Sequence, residues 1–88
     1  MLELEWDEIK RRANIQKHGL DFDDAKNLDW DNATYIEDTR FDYPEPRYWA
    51  FARWKSRLYL VAFCRRGTKV RIISFRKANR KEVMRYGK

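Results

Sequence analysis

With 88 residues the chain has room for one domain and a small core, so it is expected to form a single domain over residues 1–88. Hydrophobic residues at 43% and aromatics at 16% exclude a disordered chain, and no apolar run approaches the roughly 20 residues of a membrane span. The charge is split: residues 1–46 hold six Lys+Arg against thirteen Asp+Glu, a net of −7, and residues 47–88 hold fourteen against one, a net of +13.

Leu2, Leu4 and Trp6 alternate with Glu3 and Glu5, a period of two that predicts a strand. Asp7 is a good N-cap, and a helix is expected from there to about His18, closed by Gly19 in the left-handed conformation. Asp21 opens a second, short helix, with Asp24 three residues on as in a capping box and Phe22, Ala25 and Leu28 as its apolar stripe. A short strand is expected around residues 34–37, and Asp42-Tyr43-Pro44-Glu45-Pro46 must be a loop. Three strands follow, at 47–54, 57–64 and 69–75, with breaks short enough for hairpins. A last helix covers about 79–86. The resulting order, β-α-α-β-β-β-β-α, is that of an α+β fold with helices on a mostly antiparallel sheet.

Familiar catalytic constellations are absent from the sequence. No carboxylates stand beside His18, the single histidine, at metal-ligand spacing, so no metal site and no cofactor are expected. The three glycines form no phosphate loop, and Ser56 and Ser74 lack any triad context. Cys64 is alone in an apolar run and reads as a buried small hydrophobe. The start, MLELEWDEIK, lacks a signal-peptide pattern, so a reduced, cytoplasmic location is expected.

The basic strands remain. Strict alternation over residues 69–77 puts Lys69, Arg71, Ile73, Phe75 and Lys77 on one face and Val70, Ile72, Ser74 and Arg76 on the other. Each face mixes apolar and basic residues, so alternation leaves open which is buried. Arg47, Trp49, Phe51 and Arg53 share a face of the preceding aromatic strand, an arrangement that suits single-stranded RNA; for Trp49 and Phe51 alone a core role is favoured, while the arginines are too numerous for core balance and point to phosphate. His18 titrates near neutral pH, as acid–base chemistry on RNA requires, although a histidine at a helix end also serves as a cap.

Two ordered signatures carry a family resemblance. Trp6-Asp7-Glu8-Ile9-Lys10, Asn14, Lys17-His18-Gly19-Leu20-Asp21-Phe22 and Ala25 form the first. Arg66-Gly67, Val70-Arg71-Ile72-Ile73-Ser74-Phe75-Arg76-Lys77-Ala78, Glu82 and Tyr86 form the second, and Glu45-Pro46-Arg47 leads into the aromatic strand. Together they resemble the BrnT family of type II toxins. The resemblance implies a RelE-like fold and a ribonuclease that cuts RNA and so blocks translation and growth. It also implies a BrnA-like antitoxin with a ribbon-helix-helix domain, a two-plus-two complex, and operator DNA reached only through that antitoxin.

On this chain the family pattern points to Lys17, His18, Arg66, Arg71, Arg76, Glu82 and Tyr86. The expected mechanism is a metal-independent endoribonuclease. Arg66 and Arg76 would hold the scissile phosphate, and His18 or Glu82 would carry the proton. Lys17, Arg47, Arg53, Arg71, Lys77 and Tyr86 would bind RNA. The competing expectation is a non-catalytic module that uses the same basic strands to hold nucleic acid or only the antitoxin.

Overall fold

The computed structural model describes residues 2–87. Strand β1 (Glu3–Trp6) pairs in parallel with β5 (Lys69–Lys77); β5 pairs antiparallel with β4 (Arg57–Arg66), β4 with β3 (Arg47–Trp54), and β3 with β2 (Thr34–Asp38). The five strands form one mixed sheet in the order β1-β5-β4-β3-β2. Helix α1 (Glu8–His18) follows β1, and helix α2 (Arg80–Tyr86) follows β5.

Local chemistry accounts for the helix ends. Asp7 accepts from the Ile9 N–H at 3.2 Å, and Gly19, at φ 70°, closes α1 by donating to the Ile15 carbonyl at 2.8 Å. The short helix expected from Asp21 is a 3-10 helix, Phe22–Asn27, and a second 3-10 helix, Trp30–Asn32, follows it. Asp21 caps the first through the Asp23 N–H at 3.0 Å rather than by a capping box with Asp24, and its carboxylate also takes Arg11 at 2.9 Å. The expected stripe nonetheless holds, with Phe22, Ala25 and Leu28 buried.

The sheet has two unlike faces. The inner face, covered by the 3-10 helices, carries the main core: Phe22, Trp30, Val61, Phe63, Ile72 and Phe75. The outer face carries a smaller cluster of Phe51, Leu58 and Leu60, on which Ala78, just before α2, and Tyr86, at the end of α2, pack.

A β-bulge decides the faces of β5. Ala62 pairs with Ser74, but the next residue, Phe63, pairs with Ile72, so Ile73 is skipped. Strict alternation fails at this point. Val70, Ile72 and Phe75 all turn to the core, while Arg71, Ser74 and Arg76 share the outer face. This resolves the ambiguity of the sequence pattern.

α1 is held by polar contacts, and Asn14 is its one buried residue. The Asn14 Nδ2 donates to the Phe75 carbonyl at 2.8 Å and to the Leu20 carbonyl at 3.0 Å, and its Oδ1 accepts from the Phe75 N–H at 3.0 Å. One side-chain amide thus extends the edge of β5 beyond the end of β1, satisfying both groups of a buried peptide. Among the described residues no helix is long and apolar enough to cross a membrane.

Candidate active site

Arg76 at the end of β5 meets Glu82 in the first turn of α2, and His18, next to Lys17 at the end of α1, lies within electrostatic range of the Arg76 guanidinium. The Arg76 Nη1 and Nη2 donate to the two Glu82 carboxylate oxygens at 2.8 and 2.9 Å, and Nη1 donates also to the Lys77 carbonyl at 3.1 Å. The Glu82 carboxylate accepts the Asn79 N–H at 2.8 Å, while Asn79 accepts the Glu82 N–H at 2.9 Å, completing a capping box.

The electrostatics follow from these contacts. Burial alone would raise the Glu82 pKa, but Arg76 and the Asn79 N–H outweigh it and hold the carboxyl below its ordinary value. Glu82 is therefore ionised near neutral pH. Arg76 is tethered through its Nη edge. Its Nε and second Nη2 hydrogens have no partner among the described residues. An arginine fork fixed on one edge with the other open is pre-aimed at an oxyanion.

His18 is half-buried. Its desolvation, followed by the charges of Lys17 and Arg76, lowers its pKa below 6.5. The imidazole is thus neutral at pH 7 and able to accept a proton within electrostatic range of a fixed guanidinium. Among the described residues no group of three or more His, Cys, Asp or Glu is placed to hold a metal ion.

The other expected site residues scatter. Arg53 donates to the Gly87 carbonyl, and Tyr86 stacks on Phe51 with centroids 4.3 Å apart, so both fasten α2 to the sheet. Lys77 lies opposite Tyr59, a core residue, and so belongs to the inner-face side of β5. Arg47 lies with its guanidinium 4.4 Å from the Tyr43 ring centroid, Arg71 pairs with Glu5 at 2.8 Å, and Arg66 pairs with Glu45 at 2.9 Å.

The expectation that Arg66 and Arg76 hold one phosphate is corrected by their placement. Arg76 lies opposite Leu60, and Arg66 is six positions further along β4. At strand rise that is about 20 Å, too far for two side chains to share one phosphate. Lys10, Glu5 and Glu45 surround Arg66 and Arg71 and were not singled out from the sequence as site residues. Lys10 and Glu45 stand in the family signatures without a site role there, and it is the pairing of β5 with β1 and β4 that brings this group together.

Comparison with known proteins agrees with this fold. Residues 6–82 match the family described as the ribonuclease toxin BrnT of type II toxin–antitoxin systems. The crystal structure of the Brucella abortus ribonuclease toxin BrnT superposes with a TM-score of 0.70 at 28% identity, covering 91% of this chain and 100% of that one. No curated protein sequence matches the chain. With the family match spanning both the α1 corner and the Arg76–Glu82 pair, the chain belongs to the BrnT family of ribonuclease toxins of type II toxin–antitoxin systems.

Proposed function

We propose that this ribonuclease toxin is a metal-independent endoribonuclease whose reacting phosphate sits on the open edge of Arg76. The observation that carries the reading is the Arg76 fork held on one edge by Glu82 with its other edge open, within electrostatic range of His18. Neutral His18 takes the proton of the ribose 2′-hydroxyl. The 2′-oxygen attacks phosphorus, and the Arg76 Nε and Nη2 donors stabilise the charge that develops on the phosphoryl oxygens. The protonated imidazole then returns its proton to the departing 5′-oxygen. Glu82, ionised and committed to Arg76, positions that guanidinium rather than carrying a proton. Lys17 adds positive charge at the same corner.

The chain acts as one toxin domain in the cytoplasm, where cutting RNA halts translation and growth. Its antitoxin is BrnA-like, with a ribbon-helix-helix domain that reaches operator DNA, in a two-plus-two complex. RNA and antitoxin meet the basic strands of the outer face rather than the acidic 21–31 segment.

Incubating labelled RNA with the toxin in excess chelator tests the chemistry. The wild type is expected to cut internally, and Arg76→Ala to lose about 100-fold or more in rate while still folding and binding antitoxin. Cleavage that appears only on adding a divalent ion overturns metal independence. Wild-type rates from Arg76→Ala overturn the role given to that arginine.

A further inference from the structure

Four cations gather at the other end of the outer face. Lys10 from α1, Arg47 from β3, Arg66 from β4 and Arg71 from β5 line a hollow of about 240 Å³, with Glu45 at its rim. The Arg66 Nε and Nη2 donate to one Glu45 oxygen at 3.2 and 2.9 Å, and the Arg71 Nη1 donates to Glu5 at 2.8 Å. Among the described residues neither Lys10 nor Arg47 has an ion-pair partner, so two of the four cations face the hollow without a carboxylate. Arg71, like Arg76, is tethered through Nη1 and keeps its Nε edge open. Positive charge in surplus, lining one small space from four separate elements, is complementary to a phosphate.

The hollow is aligned with the active corner. The bulge at Ile73 places Arg71 and Arg76 on the same face although they are five residues apart. Their partners on β4, Cys64 and Leu60, are four positions apart, ~13 Å at strand rise. The sheet between them is floored by the partly exposed Ala62 and Ser74, small side chains that leave the path open. A single strand with one phosphate on Arg76 reaches the hollow within a few nucleotides.

We infer that Lys10, Arg47, Arg66 and Arg71 form a second phosphate subsite, which holds the RNA backbone a few nucleotides from the bond that is cut. Arg66 acts there in binding rather than in catalysis. Glu45, whose carboxylate bonds to Arg66, competes with the incoming phosphate. The inference rests on the reading of Arg76 as the reacting centre.

Anisotropy titration of a short, uncleavable 2′-O-methyl RNA over a range of salt concentrations tests it, with melting curves to verify folding. The double variant K10Q/R66Q changes exposed side chains. It is expected to bind at least tenfold more weakly at low salt, with a slope of log affinity against log salt shallower by about 1.4, or 0.7 per cation removed. Glu45→Gln, which removes the competitor, is expected to bind several-fold more tightly, an effect that damage to the fold does not produce. Unchanged affinity and slope in both variants, in a protein that cleaves RNA normally, overturn the subsite alone. So does a double variant that loses only antitoxin binding. A wild type that neither binds nor cuts RNA overturns the subsite together with the active-site reading.

Discussion

Glu82 grips Arg76 through both carboxylate oxygens, at 2.8 and 2.9 Å, while the same carboxylate caps the first turn of α2. One side chain therefore fixes the helix start and the direction of the guanidinium. The capping box needs a Glu or Gln at this position, whereas an ionised fork-to-fork grip needs Glu.

Glu82→Gln is expected to separate the two roles. Glutamine retains the cap, so α2 stays in place, and the cost in stability at neutral pH is about 1 kcal/mol. The loss of the ionised grip frees Arg76, and kcat falls more than KM rises. Because the Glu82 pKa is held below its unfolded value, its contribution to stability is present above that unfolded value and drains away as the pH falls through the folded one. Acid denaturation followed by circular dichroism should show this component in the wild type and not in Glu82→Gln.

His18 is expected to titrate below 6.5, with the imidazole neutral at pH 7, because burial and then the charges of Lys17 and Arg76 oppose its protonation. Arg76→Ala removes one repelling charge and leaves Glu82 without its arginine, so the His18 pKa should rise. An NMR titration of the imidazole resonances checks both directions. In the cleavage assay, the acid limb of the rate profile should follow the same pKa.

Asn14→Ala is expected to destabilise the fold by about 3 kcal/mol, since it strips both partners from the buried Phe75 peptide and one from the Leu20 carbonyl. In a domain of this size that is a drop in Tm of more than about 10 °C, measurable by thermal unfolding. A small change would mean that the edge of β5 finds other partners.

The hairpin between β3 and β4 turns through Lys55 and Ser56, both at positive φ, 52° and 61°. Two side chains in the left-handed region carry strain that an Asn-Gly pair avoids. The double substitution Lys55→Asn, Ser56→Gly is expected to stabilise the protein by roughly 0.5–1 kcal/mol, read as a higher urea midpoint with an unchanged slope.

Much of the architecture was legible in the residues. Periodicity and caps located β1, α1, β3 and α2 to within a residue or two, because Asp7, Gly19 and the aromatic strand are local signals. The short helix expected from Asp21 is 3-10 rather than α, since its acidic cap and apolar stripe suit a 3-10 turn equally well, and the 3-10 turn at Trp30–Asn32 carries no local signal. Of the candidate site residues, Arg76 and Glu82 lie in direct contact, and His18 lies within electrostatic range of Arg76. The pairing of Arg66 with Arg76 was not sustained in space, and the fastening roles of Arg53 and Tyr86 emerged only once α2 was seen docked on Phe51.

By itself, the sequence determined the α+β order, the family, and a basic carboxyl-terminal half, because these reside in local pattern and composition. The tertiary structure decided which arginines share a face. Residues 71 and 76, an odd number apart, lie on opposite faces of any regular strand. The bulge at Ile73, created by pairing with β4 and invisible to a period of two, turns both to the outer face.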